Sequence, residues 1–556
     1  MHRFLNYLRG FHPAGLAVAL LFYTWSLTPS LLPRVWYMQA LATGVSIAIG
    51  YGLGVAGARI VRWAGVSRQP SRKQQRIGWW VLAAATAILV PLFAALGAHW
   101  QHISRGLVGV ESDSRMIYTV VLLLAVLVAL LLIQAGRGLA ALSNRPTRAG
   151  RRYVPQPVAR LGGLALVLVV GWLLIDGVGI RAMLAVAERA AFSADQETRE
   201  GVAQPTEPER SGSPASLQAW DSLGRDGRTF VASGPRAEQI TGVTGRPAIE
   251  PIRVFAGVTS ADTLPEIADG VVAELERTGA FDRSVLFVTT TTGRGWINSA
   301  AADSLEYITA GDSAIAGMQY SHLQSPLAFI ADRQTPLEAG RVLLEKVYAV
   351  WSELPEAERP KLVVMGESLG SYGAQGATAS EQDMVSRLDG ALLIGTPEFA
   401  QPWNRITAER DPGSLQRLPV VDEGKHTRFA AEAGDLKLPG EWEQPRIVYW
   451  QHGSDPITWW SFDLLLREPD WLAEPLGEDI NPAMRWLPFV TFWQVTADMA
   501  FSAGVPAGHG HAYGSEAVGI LVGILDPPDW DEESTRRVET LLRDPATTLE
   551  PLGEFR

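Results

Sequence analysis

A serine occupies the turn of a predicted strand–turn–helix unit in residues 361–370, KLVVMGESLG. A short apolar run ends at Gly366-Glu367-Ser368-Leu369-Gly370, and small residues continue through 371–377. A serine hydroxyl becomes a useful nucleophile when a sharp turn exposes it beside a base and beside backbone N–H donors. Flanking glycines permit such a turn. The G-x-S-x-G pattern is weak evidence by itself, so the partners of Ser368 must be sought downstream.

The base is sought among the nine histidines of the chain. Sites in parallel α/β sheets form at the carboxyl ends of strands, and the chain order in this architecture is Ser, then Asp or Glu, then His. Only His509 and His511 follow the best acid candidate, in the glycine-rich segment 508–514, GHGHAYG. One of the two is expected to be the base and the other a solvated loop imidazole.

The acid candidate is Asp455 in residues 451–456, QHGSDP, directly after the predicted strand RIVYW. Its role would be to hold the imidazole in one tautomer and to stabilise the imidazolium. Asp463 and Asp470 are alternatives, although no predicted strand precedes them. An ordinary Asp-Pro turn is the competing interpretation of Asp455. The His-x-His pair lacks a third ligand, so we expect neither a metal nor another cofactor.

An oxyanion hole requires backbone N–H groups aimed at the developing negative charge. Leu369, after the nucleophile, is predicted to supply one amide. The TTTTGRGW segment, 289–296, is a strand running into a glycine-broken loop, and the amides of Thr291 and Thr292 are predicted to supply the other. Arg294 in this loop is a candidate ligand for a substrate carboxylate or phosphate, and His322 is a candidate for lining the pocket.

Buried β runs alternate with helical patterns through this part of the chain. The predicted strands are residues 252–258, 284–290, 314–320, 361–365, 391–394 and 446–450. Thr263 with Glu266, and Thr335 with Glu338, fit the capping box of a helix start. Strands alternating with helices predict a mostly parallel, doubly wound sheet.

The N-terminal part of the chain has the composition of a membrane domain. Residues 1–193 contain 19 basic and 4 acidic residues, whereas the remainder contains 29 and 55. Apolar stretches of about 20 residues, the length that spans a bilayer as a helix, predict an all-α bundle of about five spans. These stretches are 14–33, 36–57, 78–98, 117–136 and 161–180.

Basic residues predict the orientation of this bundle. The loops after the second and fourth predicted spans are rich in arginine, whereas the loops after the first and third spans carry few basic residues. This distribution predicts a cytoplasmic N-terminus and, after an odd number of crossings, an extracytoplasmic catalytic domain in the cell envelope.

The predicted domains are a transmembrane domain, 1–193, a linker, 194–215, a catalytic domain, 216–530, and a C-terminal extension, 531–556. The linker is rich in Glu, Pro, Ser and Gly and is predicted to be solvated. The absence of cysteine excludes thiol catalysis, thiolate metal sites and disulfides.

Several segments together resemble the α/β-hydrolase superfamily, and most closely an uncharacterised group of actinobacterial membrane-bound α/β-hydrolases. The segments are IRVFAGVTSADT, TTTTGRGW, GESLGSYG, LLIGTPEF, HGSDPITWW and GHGHAYG. The resemblance implies Ser368 as nucleophile, Asp455 as acid and a histidine of 508–514 as base. It favours His511, because a tyrosine two residues on is common after such a base.

The predicted function is that of a membrane-anchored serine hydrolase, an esterase or lipase that forms an acyl-enzyme. Its predicted partners are the bilayer and an acylated lipid or envelope glycan, with no nucleic acid; the oligomeric state is left open. The aromatic residues between acid and base predict core packing or an apolar cap that receives a lipid chain. An acyltransferase with the same triad and an inactive sensor or scaffold are the alternatives.

Overall fold

The computed structural model describes residues 10–65, 71–111, 117–150, 155–174 and 179–544. The chain forms two compact units. The first is Met1–Met183 with Ser461–Phe501, and the second is Leu184–Trp460 with Ser502–Arg556. Residues 461–501, assigned from the sequence to the catalytic domain, therefore pack within the N-terminal unit.

The first unit is built from helices, and three of those described are long and apolar enough to cross a membrane: Trp36–Trp63, Arg72–Leu107 and Tyr118–Asn144. The third lies within a longer helix, Ile117–Gly150. The unit also contains the helices Pro13–Ser26, Gln156–Leu174, Asp470–Ala473 and Val490–Met499. The sequence-based count of about five spans is therefore not reproduced.

The first predicted span, 14–33, is shortened by its own sequence. The helix Pro13–Ser26 has 14 residues, about 21 Å at 1.5 Å per residue, against a hydrocarbon core of about 30 Å. Pro29 and Pro33 follow it, and proline is poorly compatible with a continuing helix. The fifth predicted span, 161–180, overlaps the helix Gln156–Leu174, and its residues 175–178 lie outside the described residues.

Polar contacts hold residues 461–501 to the N-terminal helices inside this unit. The buried Arg34 guanidinium pairs with Asp498 at 3.0 Å. Asn481 donates to the Ser104 hydroxyl at 3.2 Å, and Gln494 donates to the Thr28 carbonyl at 3.0 Å. Most of the aromatic residues between Asp455 and His509 therefore lie in the helical unit, where Trp471 and Phe492 are buried and Phe462 is exposed.

The second unit contains a seven-stranded sheet in which every pair of neighbours is parallel. The spatial order is β1-β3-β2-β4-β5-β7-β6. The strands are β1 Ile252–Ala256, β2 Val285–Thr290, β3 Ser313–Met318, β4 Lys361–Glu367, β5 Gly390–Ile394, β6 Thr427–Ala430 and β7 Arg446–Trp450. Six were predicted. The missed strand, β6, has four residues at the sheet edge, too few for a clear apolar run.

Helices connect the strands, and the longest are Leu264–Thr278 and Thr335–Glu353. The others of eight or more residues in this unit are Arg181–Asp195, which begins in the first unit, and Gly224–Ala232, Ala237–Thr244, Ser299–Ile308, Gln401–Ala408, Ala517–Leu525 and Glu532–Leu542. The shorter α-helices are Ser325–Ala331, Leu369–Ala374, Glu381–Arg387 and Pro456–Trp459.

One of the two predicted capping boxes is confirmed. Thr263 accepts a hydrogen bond from the Glu266 amide, and Glu266 accepts one from the Thr263 amide. The second prediction is wrong. The hydroxyl of Thr335 donates to Asp332 at 2.9 Å, so it does not cap the helix that begins at Thr335.

The stretch predicted as a solvated linker contacts the sheet edge. Arg210 and Ser211 are fully buried, and the Ser211 amide donates to the Arg253 carbonyl of β1 at 3.0 Å. Arg210 also donates to backbone carbonyls after the helix Gly224–Ala232, including that of Pro235 at 3.1 Å. A polar composition is thus compatible with burial here, because the carbonyls satisfy the guanidinium.

Candidate active site

Ser368 lies between β4 and the helix Leu369–Ala374 in a strained conformation. Its φ is 56° and its ψ is −120°, a region that non-glycine residues seldom occupy. A side chain at Gly366 would collide with the Gly370 carbonyl, and one at Gly370 would collide with the Thr290 carbonyl. The two glycines therefore permit the tight turn that the sequence predicted, and the chain forms the nucleophile elbow geometry.

Asp455 and His511 form the pair that would activate this serine. The Nδ1 atom of His511 lies 2.7 Å from Oδ2 of Asp455. Asp455 is completely buried, and its other oxygen, Oδ1, accepts from the Ile457 amide at 2.8 Å. This carboxylate therefore fixes the orientation of the His511 ring.

Three neighbouring strand ends bring the pair to the elbow. The Ser368 amide donates to Ile394 O at the end of β5 (2.9 Å), and the Gly395 amide donates to Trp450 O at the end of β7 (2.8 Å). A Cβ atom at Gly395 would lie 2.5 Å from Cε1 of His511. The imidazole thus packs against the residue next to the backbone partner of Ser368.

The second candidate base lies elsewhere in the same loop. His509 is half-buried, and its carbonyl accepts from the Ala512 amide at 3.1 Å within a tight turn. Asp455 is contacted by His511 and not by His509 in the geometry described above. Of the two histidines, His511 is therefore the one that the structure brings against Asp455.

Contacts between the loop that carries Asp455 (451–456) and the loop that carries His511 (508–514) were not predicted. His452 contacts the Gly510 carbonyl through Nδ1 at 2.9 Å, and the Ser454 hydroxyl accepts from the Gly510 amide at 2.8 Å. The rings of His452 and Tyr513 stack with centroids 4.2 Å apart. These contacts hold the two loops in register. The HGSD and GHGHAYG segments contain every residue involved, but their spacing does not reveal which residues pair.

Tyr513 is the second residue, after His511, that contacts Oδ2 of Asp455. Its hydroxyl donates to Oδ2 of Asp455 at 2.7 Å and accepts from the His452 amide at 3.3 Å. Burial, together with the adjacent Asp455 charge, raises the pKa of Tyr513 well above its usual value. Tyr513 is therefore protonated at neutral pH and can donate this hydrogen bond.

A buried amide links the elbow to the base loop. Asn298 donates through Nδ2 to Oε2 of Glu367 at 2.6 Å and to the Tyr513 carbonyl at 3.1 Å. Its Oδ1 accepts from the Ala301 amide and caps the buried helix Ser299–Ile308. Sequence reasoning missed Asn298. Its position as a cap after the TTTTGRGW loop is the one local signal that it carried.

The predicted oxyanion donors differ in availability. Gly370 packs on the carbonyl ends of Thr290 and Thr291, so the β2 loop lies against the elbow. Thr291 is anchored by its hydroxyl to the Met318 carbonyl at 2.8 Å. The Thr292 amide, however, donates to Trp296 O at 3.2 Å and is engaged within its own loop. The Leu369 and Thr291 amides therefore stay the predicted donors.

Arg294 and His322 are placed together, at a cavity of about 260 Å³. Arg294 pairs with Asp226 at 2.7 Å, and Nδ1 of His322 lies 3.0 Å from Oδ2 of Asp195. Leu323 of the cavity wall belongs to the same apolar cluster as Leu369, which follows the nucleophile. The cavity thus shares a wall with the elbow.

Within the part of the chain that the structure describes, no three His, Asp or Glu side chains are grouped to hold a metal ion.

Comparison with known proteins agrees with this architecture. The sequence profile of the Alpha/beta-hydrolase family matches residues 252–538, and that of the Alpha/beta-hydrolase family N-terminus matches residues 27–235. The first match spans more than half of the chain and contains the elbow and both partner loops. The chain therefore belongs to the alpha/beta-hydrolase family.

A solved structure, Trichoderma reesei cutinase in complex with a C11Y4 phosphonate inhibitor, is 14% identical and is aligned over 47% of this chain and 88% of its own. Its TM-score is 0.20, so it adds nothing to the fold assignment, which rests on the sheet and the family match. No curated protein matches the sequence.

Proposed function

We propose that this protein is a membrane-anchored serine esterase. The observation that carries the proposal is the pairing of Asp455 with His511 at the strand end beside the Ser368 elbow. The three helices long enough to cross a membrane support the anchoring.

In the proposed reaction, Oγ of Ser368 attacks the ester carbonyl while Nε2 of His511 takes the hydroxyl proton. The Leu369 amide and the Thr291 amide stabilise the oxyanion of the tetrahedral intermediate. His511 then donates its proton to the leaving alcohol, which leaves an acyl-Ser368 ester. Water, deprotonated by the same imidazole, attacks this ester and releases the carboxylic acid.

The test is covalent labelling of the full-length protein in membranes with a fluorophosphonate probe, followed by hydrolysis of a p-nitrophenyl ester. We expect wild type to label and to turn over. Ser368→Ala should abolish labelling and lower kcat by at least about a thousandfold, because the nucleophile itself is lost. Ser352→Ala, on the helix Thr335–Glu353, is the matched control. Labelling that persists in Ser368→Ala would refute the proposal and favour the inactive scaffold.

For the substrate, we propose an acylated lipid or envelope glycan, and for the catalytic unit an extracytoplasmic location. The arginines of residues 145–160 are expected on the cytoplasmic side. If the helix Gln156–Leu174 crosses the membrane, the catalytic unit is outside; its 19 residues correspond to about 28 Å, which is close to sufficient. The side of the catalytic unit thus depends on this one helix.

Because the chain has no cysteine, a single introduced cysteine shows on which side of the membrane its position lies. Ser352→Cys in the catalytic unit should react with a membrane-impermeant maleimide on intact cells. Gln75→Cys, in the first turn of the helix Arg72–Leu107 beside the arginine-rich segment, should react only after the cells are opened. Protection of Ser352→Cys in intact cells would place the catalytic unit in the cytoplasm.

A further inference from the structure

The cavity beside the elbow has one apolar side and one cationic side. Ala187 and Ala191 from the helix Arg181–Asp195, together with Leu323 and Leu327, form the apolar side. Arg225 and Arg294 contribute cationic groups. Its volume, about 260 Å³, is near the lower limit of small-molecule sites, which begin at roughly 300 Å³.

Arg294, the arginine that the sequence suggested for anion binding, shares its carboxylate partner with a second arginine. Its Nε donates to Oδ2 of Asp226, and Oδ1 of the same carboxylate accepts from Arg199 at 2.8 Å. Two guanidinium groups therefore share one carboxylate, which leaves an excess of positive charge at this edge of the cavity.

Arg225 differs from Arg294. Its Nε is buried, and among the described residues no atom accepts a hydrogen bond from it. Asp195 contacts the Arg225 backbone amide at 2.8 Å, while its side-chain oxygens also accept from Gln319 and contact His322. A buried guanidinium nitrogen without an acceptor is costly, and an anionic ligand would satisfy it.

The backbone is arranged to bring Asp195 and Arg225 together. Gly224 has a φ of 67°, and a Cβ atom there would lie 2.9 Å from both carboxylate oxygens of Asp195 and 2.6 Å from Oε1 of Gln319. A glycine is thus needed for Asp195 to reach the Arg225 amide. The carboxylate binds the amide, and the Arg225 side chain is left for another partner.

Neighbouring charges agree with an anion site. Burial lowers the pKa of Arg199; Asp226 opposes this, and the positive charges of Arg225 and Arg294 lower the pKa further. The Nη2 of Arg228 donates to the backbone carbonyls of Asp195 and Glu197 and brings a further positive charge. In the described residues around the cavity, guanidinium groups outnumber buried carboxylates.

We propose that this cavity binds the anionic group of an acylated amphiphile, a phosphate or carboxylate held by Arg225 and Arg294, with its alkyl chain along Leu323 and Leu327 toward the elbow. The proposal rests on the proposed esterase function and assigns its substrate class: an acyl ester that carries a negative charge. Guanidinium groups suit phosphate and carboxylate because they form paired, charge-assisted hydrogen bonds.

The test measures binding rather than turnover, so that it does not depend on catalysis. Full-length Ser368→Ala protein in neutral detergent is titrated with dodecyl phosphate and with dodecanoate, and inorganic phosphate is titrated separately. We expect both amphiphiles to bind, and Arg225→Gln to weaken them by about tenfold or more, the effect of losing a charge-assisted hydrogen bond. Arg341→Gln, whose exposed side chain pairs with Glu345 on a distant helix, should leave binding unchanged.

Two further variants keep the result interpretable. Arg225→Gln should fold, because among the described residues no atom accepts a hydrogen bond from Nε of Arg225. Arg225→Lys keeps the positive charge and should retain part of the affinity. Ala191→Phe, which fills the apolar side, should weaken dodecyl phosphate while circular dichroism stays unchanged.

Three outcomes would overturn the proposal. Dodecanol is the neutral comparison, and equal binding of dodecanol and dodecyl phosphate would refute an anionic substrate. Full affinity in Arg225→Gln would refute the assigned ligand. Inorganic phosphate that binds as tightly as dodecyl phosphate would show a free-anion site and refute the amphiphile. If binding behaves as expected but wild type has no esterase activity, the proposed function fails and the anion site stands.

Discussion

Two aspartate–histidine pairs lie in the same α/β unit, and they differ in what surrounds them. Asp455 contacts Nδ1 of His511 at 2.7 Å, and Asp195 contacts Nδ1 of His322 at 3.0 Å. Both aspartates are buried. The ring of His511 packs on Gly395 beside the elbow, whereas that of His322 packs edge-on against Phe192 at 5.1 Å.

Because both pairs consist of a buried aspartate and a histidine, the residue types alone do not identify which histidine could act as a base. His511 follows β7 and Asp455, and its ring lies against Gly395 at the end of β5, beside the Ser368 elbow. His322 follows β3, and its aspartate comes from the helix Arg181–Asp195. Position relative to β4 therefore separates the pair that lies beside the Ser368 elbow from the pair that lines the cavity.

Replacing the two histidines gives the largest expected contrast. His511→Ala should lower kcat on a short p-nitrophenyl ester by about 10⁴-fold or more, because the proposed base for Ser368 is lost. His322→Ala should act mainly on KM, and by less than about tenfold. Steady-state kinetics of both, with His509→Ala as the matched loop control, check this. Equal losses in His511→Ala and His509→Ala would contradict the assignment of the base.

Replacing Asp455 and Asp195 should give the same contrast in kcat as replacing the two histidines, with smaller losses. Asp455→Asn keeps the shape of the site but removes the charge that orients the imidazole, so kcat should fall by about 10³- to 10⁴-fold. Asp463→Asn, at the exposed fallback acid, should remain near wild type. A large loss of kcat in Asp195→Asn, comparable with that in Asp455→Asn, would break the distinction between the two pairs.

Tyr513→Phe tests whether the Tyr513 hydroxyl helps to orient Asp455. It removes one of the hydrogen bonds to Oδ2 of Asp455 and leaves the His452 amide without its acceptor. We expect a loss of about tenfold in kcat and of about 1–3 kcal/mol in the free energy of unfolding. Unchanged kinetics with reduced stability would mean that Tyr513 supports the loops without orienting the acid.

The second pair should be visible in acid stability. Burial by itself would raise the pKa of Asp195, but hydrogen bonds from His322, Gln319 and the Arg225 amide outweigh it and lower the pKa below its usual value. Such a carboxylate stabilises the fold above its unfolded pKa, about 3.9, and the contribution is lost as the pH falls through the lower, folded value.

Unfolding in urea, followed as the pH is lowered below about 4, should therefore show a steeper loss of stability for wild type than for Asp195→Asn. Asp463→Asn should follow wild type. Parallel curves for wild type and Asp195→Asn would show that these hydrogen bonds do not couple folding to protonation.

Much of this site could be predicted from the sequence, because its determinants are local. Two glycines around Ser368 after an apolar run predict an elbow, since only a few backbone turns fit that pattern. The position of Asp455 just after a predicted strand, β7, is likewise a local signal. The apolar runs of buried parallel strands likewise predicted six of the seven strands, whereas the four residues of β6 gave too short a signal.

Other features depend on residues far apart in the chain, and only the tertiary structure decided them. His509 and His511 differ by two positions in one loop, and packing against Gly395 and Asp455 determines which of them faces the elbow. Asn298 reaches Tyr513 across 215 positions. Arg294 was a reasonable anion ligand in the sequence, but Asp226 is folded onto it. The length of the first helix is different: apolar composition did not set it, but Pro29 and Pro33, which follow its end, were already visible in the sequence.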